Sequence, residues 1–235
     1  MIFLKQYSKY ILFALVIGIY ACDSSSPIET VPDMSKDYFP TKKGYYQIYD
    51  IDEIIYALGD PDTFKYQLKA VQIDSFLNTE GTYTYVIHRS IRKDATEPWV
   101  YKDTWSSRIV NNQAIDGEEN IDYVKLIFPV QVGIRWNGNA YNSLGIEEFE
   151  IQRAESKIIN DVTYPDCITI KQKDNQDFIV YLDQRYESYA KNVGLVYDEI
   201  TQLTYCTDTN KGCIGQQIIE EGVIYKQTIV EYGTE

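Results

Sequence analysis

The chain carries one run of alternating apolar and polar residues after another, and no convincing stretch with the 3.6-residue period of an amphipathic helix. Side chains alternate between the two faces of a strand, so such runs are half-buried strands. They cover residues 45–58, 64–77, 82–88, 99–109, 124–130, 146–159, 162–173, 178–189, 194–206 and 222–232. Turn-forming sequences separate several of them: Gly59-Asp60-Pro61-Asp62, Asn78-Thr79-Glu80-Gly81, Asp116-Gly117-Glu118-Glu119-Asn120, Asp174-Asn175-Gln176-Asp177 and Glu220-Glu221-Gly222. A meander of about ten long strands must close or curl to bury its apolar face. The pattern therefore predicts an all-β antiparallel fold closing into a barrel or curved half-barrel.

Some strands show finer structure. Between residues 64 and 77 the apolar phase moves from Phe64, Tyr66, Leu68 and Ala70 to Val71, Ile73 and Leu77, which predicts a β-bulge or a bend across a barrel corner. Tyr83, Tyr85 and Ile87 face one way, and Thr82, Thr84, Val86 and His88 the other. Trp99, Tyr101, Trp105 and Ile109 are expected to share a face in the next strand. Residues 131–145, rich in Gly and Asn, break the rhythm and predict an ordered loop.

The first 22 residues belong to a different logic. Lys5 and Lys9 precede an apolar run from Tyr10 to Tyr20. That run is too short to span a bilayer, which needs about 20 residues, and it matches the core of a secretory signal peptide. The run ends Ile19-Tyr20-Ala21-Cys22, the pattern at which bacterial lipoproteins are cleaved and lipidated. The expected organisation is a signal peptide over 1–21, a lipidated N-terminus and flexible tether over 22–37, and a single β domain over 38–235. Each buried methylene of an acyl chain contributes about 0.8 kcal/mol, so two or three chains on Cys22 hold a protein to a membrane. The tether, with Pro27 and Pro32 among polar residues, reaches on the order of 20 Å. The expected location is the cell envelope, on the outer membrane, with the membrane itself as a partner through Cys22.

Charge and cysteine use fit export. The formal net charge is −13, and it becomes more negative once Lys5 and Lys9 leave with the signal peptide. An acidic surface repels nucleic acid and anionic headgroups, so neither is expected as a ligand. Cys206 and Cys213 flank Thr-Asp-Thr-Asn-Lys-Gly, a short loop that a disulfide can close in an oxidising compartment. Cys167 lies in a strand-like run and is expected to be a buried small hydrophobe. The 22 tyrosines suit a sheet with many half-buried aromatics, and also suit a sugar- or peptide-binding surface.

Catalytic patterns are scarce. His88 is the only histidine, which leaves no multi-histidine metal site. There is no Gly-x-Ser-x-Gly elbow, P-loop or dinucleotide fingerprint. The stretch from Asp208 hints at a calcium loop, but Cys213 occupies its glycine position and Ile219 the place of its bidentate glutamate. Among 35 acids some pair will meet at glycosidase spacing, and the sequence does not say which. The most ligand-like cluster is Trp136 with Asn137, Asn139, Tyr141 and Asn142, an aromatic platform with amide donors suited to a glycan or peptide. The competing reading of the same residues is a structural loop whose tryptophan plugs the barrel and whose asparagines cap turns.

Three segments carry a resemblance. Tyr38-Phe39-Pro40-Thr41-Lys42-Lys43-Gly44, Gly133-Ile134-Arg135-Trp136-Asn137-Gly138-Asn139 and Tyr189-Ala190-Lys191-Asn192-Val193-Gly194-Leu195-Val196 are similar to segments of an uncharacterised family of bacterial lipoproteins common in Bacteroidota. Tyr46 stands where that group often has Trp. The resemblance implies a β-rich extracytoplasmic lipoprotein and brings no catalytic residues. The expectation is therefore a non-enzymatic envelope module, without cofactor or metal, that binds a protein or glycan partner. The first alternative is a carrier of an apolar ligand in a half-barrel cavity, and the last a carboxylate-dependent glycosidase.

Overall fold

The computed structural model describes residues 35–57 and 60–235. The expected signal peptide, Cys22 and the tether as far as residue 34 lie outside the described residues. A 3-10 turn, Lys36–Tyr38, leads into twelve strands: β1 (Tyr45–Tyr56), β2 (Asp62–Leu77), β3 (Tyr83–Arg92), β4 (Val100–Val110), β5 (Gln113–Glu118), β6 (Ile121–Ile127), β7 (Arg135–Asn137), β8 (Glu148–Ile159), β9 (Val162–Asp177), β10 (Tyr181–Ala190), β11 (Gly194–Tyr205) and β12 (Ile219–Thr234). They form one antiparallel sheet in the order β6-β5-β4-β3-β2-β1-β12-β11-β10-β9-β8-β7. Pairing of β1 with β12 joins two six-strand arms, and the arms curl round into a nearly closed barrel.

Two strands exceed the expected ten. Residues 116–118 of the acidic segment are not a turn: they end β5, and the turn is Glu119-Asn120, both at positive φ. The strand escapes a hydrophobicity reading because Asp116 and Glu118 are the residues that face inward. Strand β7 sits inside the predicted loop, and its three residues are too few to show a period.

The two edges meet at a seam. The Val124 amide donates to the Gly138 carbonyl (2.8 Å), and the Trp136 indole N–H donates to the Val124 carbonyl (2.7 Å). Edge groups that would otherwise invite another chain are thus used within the molecule. Trp136 is buried and packs edge-on against Phe149. Trp136→Phe keeps most of the apolar contact but strands the Val124 carbonyl, a loss of about 1–2 kcal/mol. Denaturant unfolding reads the loss; a midpoint equal to that of the parent chain shows that the seam needs no clasp.

Curvature comes from bulges, each placing two residues opposite one and increasing the local twist. Register shifts leave Ile73 extra in β2, Lys102 in β4, Lys125 in β6, Val196 in β11 and Val230 in β12. The Ile73 bulge lies in the strand where one was expected, but after Gln72, which keeps the inward phase of Tyr66, Leu68 and Ala70. The Lys102 bulge corrects the expected face of β4. Tyr101, opposite Ser90, points outward and meets the His88 ring, whereas Trp105 points inward.

Apolar packing gathers in two places. One cluster, including Ala114, Ile115, Val124, Leu126 and Phe149, fills the barrel beside the seam. The other surrounds Tyr49, Ile51, Leu68, Val196 and Ile229 where the two arms join. Cys167 belongs to the second cluster, and burial pushes its thiol up to about 11. Cys206 and Cys213 are bonded across the β11–β12 loop, with Cα atoms 5.7 Å apart.

Candidate ligand-binding lumen

Between the clusters the barrel is not filled. A cavity of about 500 Å³ runs through it. Its walls follow the two-residue period of each strand: Tyr66, Leu68, Ala70 and Gln72 from β2; Val223, Tyr225 and Gln227 from β12; Asp198, Ile200 and Gln202 from β11. One end is crossed by the segment before β1. Gln72 donates from Nε2 to the Pro40 carbonyl (2.8 Å) and accepts from the Lys42 amide at Oε1 (2.7 Å). Phe39 is buried there, and the Asn192 amide donates to the Asp37 carbonyl (2.7 Å). Strand direction puts the exposed Lys102 and Glu119 at the opposite end, which we take as the mouth.

Charged groups on the walls fall into two sets. The first is centred on Lys125, which its bulge turns inward. Its Nζ lies 2.9 Å from Glu118 of β5 and 2.5 Å from Glu187 of β10, spanning the lumen from one arm to the other. The Tyr189 hydroxyl also donates to Glu187 (2.8 Å). Asp198 stands directly opposite Glu187 in the β10–β11 ladder, and Asp116 opposite Ser107 in the β4–β5 ladder. Four carboxyl groups therefore share one ammonium.

Their protonation follows from that imbalance. Burial holds the Asp116 carboxyl up at about 7, against the pull of Lys125, and Glu118 adds to the rise. Burial, reinforced by Glu187, keeps Asp198 well above the ordinary carboxylate range. Burial works against the charge on Lys125, but Glu118, Glu187 and Asp116 more than offset it and hold the ammonium well above its usual value. Oδ1 of Asp116 is shut off from water and has no hydrogen-bond partner.

The second set is centred on Arg89, 7% exposed on β3. Its guanidinium lies over the Trp105 ring, 3.5 Å from the centroid, a stacking that suits a desolvated cation. Asp103 is 3.5 Å from Arg89 Nη1, too far for a hydrogen bond, and is drawn instead to Lys102 at 2.7 Å. Arg89 Nη1 and Trp105 Nε1 both lack hydrogen-bond partners. Glu53, on the same wall, accepts from the Tyr66 hydroxyl (3.4 Å).

The predicted ligand loop lies elsewhere. Trp136, Asn137, Asn139, Tyr141 and Asn142 do not line the cavity. Trp136 clasps the seam. Asn137 Oδ1 accepts from the Asn139 and Glu147 amides. Asn142 donates to the Asp122 carbonyl and to Asn139, and the Tyr141 hydroxyl donates to Gln113. These are the bonds of a structural loop, the competing reading of that sequence. Among the described residues no three His, Cys, Asp or Glu side chains group as a metal site.

No known protein family matches the chain, and neither does any curated protein. Two solved structures resemble it. A proposed exported protein from Bacteroides fragilis, described as having a YmcC-like fold, superposes with a TM-score of 0.44 at 12% identity, over 83% of this chain and 98% of that one. A proposed lipoprotein from Parabacteroides distasonis superposes with a TM-score of 0.41 at 12% identity, over the same shares of the two chains. At these scores neither carries a conclusion about this chain.

Sequence reasoning missed the lumen residues. Asp116 and Glu118 sit in a segment that looks like a turn, and Lys125 looks like an ordinary polar position. The one usable signal was inward-phase charge: Arg89 follows Ile87 on the same face of its strand, two residues along.

Proposed function

We propose that this chain is a lipid-anchored envelope protein that binds a small polar ligand in its barrel lumen and catalyses nothing. The observation that carries the binding role is the cavity, whose size is typical of small-molecule sites and whose walls hold Asp116, Arg89 and Trp105 with polar atoms lacking partners. A buried polar group left unpaired costs about 1–3 kcal/mol, and a ligand that pairs with these atoms recovers it. An apolar ligand fits the volume but not the walls, because it leaves the same atoms stranded. This favours a polar cargo over the apolar one.

The envelope part of the reading rests on the signal peptide and on Cys22, with the disulfide as support. Cys22→Ala is expected to move the protein from the membrane pellet to the soluble fraction; a mutant that still pellets argues against the anchor.

Native mass spectrometry of the full-length chain, extracted gently from its own membranes, tests the binding role. A retained small molecule is the expected result. A bare polypeptide mass that no small-molecule mixture shifts counts against it. Glycan turnover abolished by Asp116→Asn or Glu187→Gln would overturn the non-catalytic reading.

A further inference from the structure

We infer that the lumen is built for a zwitterion: a free α-amino acid or a dipeptide, held at its ammonium by the Asp116 side of the lumen and at its carboxylate by Arg89 and Trp105. This rests on the binding role proposed above and names the class of ligand.

The two sets of wall groups differ in what they leave unpaired. Around Lys125, one cation serves Glu118, Glu187, Asp116 and Asp198, so the surplus is of acceptors. Around Arg89, the guanidinium and the Lys102 ammonium face Asp103 and, on the same wall, Glu53, whose carboxylate accepts from Tyr66, so the charges balance and what is left over is unpaired donor N–H groups. The unpartnered atoms lean the same way. Asp116 Oδ1 lies on the acidic side; on the Arg89 side two donors, Arg89 Nη1 and Trp105 Nε1, outnumber one acceptor, Asp103 Oδ1. A purely cationic ligand leaves the guanidinium and indole unpaired. A purely anionic one meets the carboxylates. A molecule with both charges pairs with both sets.

The spacing suits the same class. Trp105 and Ser107 point the same way on β4, and Ser107 is directly opposite Asp116. Trp105 and Asp116 are therefore diagonal neighbours across two strands, roughly 7–8 Å apart. A dipeptide spans about 7 Å, which matches that separation. The rings of Tyr66 and Tyr225 line the same lumen and offer apolar surface to a ligand side chain.

Titration calorimetry on the full-length chain in mild detergent tests the inference. The probes are the twenty L-amino acids taken singly, with Ala-Ala, Ala-Phe and Phe-Ala, and then the N-acetyl and C-amide derivatives of the tightest binder. At least one unmodified probe is expected to bind, with each cap weakening it by about tenfold or more, as loss of a charge-assisted hydrogen bond does. Asp116→Asn should make the protein indifferent to N-acetylation, and Arg89→Gln indifferent to amidation. If Arg89→Gln does not fold, Trp105→Phe removes a donor from the same wall. A binder that tolerates both caps overturns the inference, as does a panel in which nothing binds. A silent panel beside a retained molecule in the native mass spectrum sinks the zwitterion and leaves the binding role standing. Silence in both experiments removes both.

Discussion

Replacing Lys125 by methionine should lower the melting temperature at pH 8 by about 10 °C, from about 3–4 kcal/mol lost in a domain of this size. The side chain is 10% exposed and is the ammonium that joins Glu118 on one arm to Glu187 on the other. Methionine fills a similar volume, so the loss is chiefly electrostatic. Breaking a buried pair from one side leaves an uncompensated charge, which costs more than the pair was worth. Here two carboxylates lose their partner, with Asp116 and Asp198 already crowding them. The lysine is held well above its usual value, so its charge is constant from pH 5 to pH 8. Any change in the penalty over that range comes from Asp116 and Asp198, whose raised carboxyl groups take up protons as the pH falls. The melting difference should therefore shrink towards pH 5. A difference under about 3 °C at pH 8 shows that lumen water solvates the four carboxyl groups unaided.

Asp116→Asn should act in the opposite direction and stabilise the protein above neutrality. The wild-type carboxyl rises from an ordinary 3.8 to about 7 because it is buried. A group that binds its proton more tightly folded than unfolded favours the fold below its unfolded value. That contribution is lost as the pH climbs through the window from 3.8 to about 7. The full rise corresponds to about 4 kcal/mol. Water in the lumen screens part of it, so a gain of about 2 kcal/mol at pH 8 is expected, with little gain at pH 4. The facing groups set the background: Asp198 rises for the same reason, while Lys125 pulls against the rise. Denaturant midpoints for the parent and Asp116→Asn chains at pH 4, 6 and 8 give the answer. Parallel curves at all three values mean that Asp116 titrates like a solvated carboxylate.

Both results bear on function, because the lumen gives up stability to keep charge inside. A barrel filled by leucine and phenylalanine would lose nothing on raising the pH. Carboxyl groups placed directly opposite, as Glu187 and Asp198 are, repel once both are ionised, and this destabilises a ladder. Such an arrangement makes sense where an incoming ligand supplies the missing counter-charge.

Much of the scaffold was legible. Period-two runs placed ten of the twelve strands, since a strand half in water must alternate. The slip of phase after Ala70 pointed to a bulge in that strand, but the structure places it at Ile73, with Gln72 still facing the lumen. The reading failed where alternation carried no hydrophobic contrast, as in β5, or had no length to show itself, as in β7. It also put Tyr101 on the wrong face, because nothing in that run marks Lys102 as extra.

The candidate site divides in the same way. Trp136 and its asparagines stood out as a cluster because aromatic and amide residues are rare neighbours, yet the fold spends them on the seam. The residues that line the lumen are scattered from Phe39 to Gln227, and none stands out alone.

What the sequence by itself determined is the all-β antiparallel sheet, its curl and most of its strands, because alternation and turn chemistry act between neighbours along the chain. Only the tertiary structure decided which of the 35 acids meet, that Lys125 reaches across to Glu187, and that Arg89 lies on Trp105. Those contacts depend on the register of strands far apart in sequence and on bulges that turn single side chains inward. A shift of one residue in any of those ladders would send the same charges out into water.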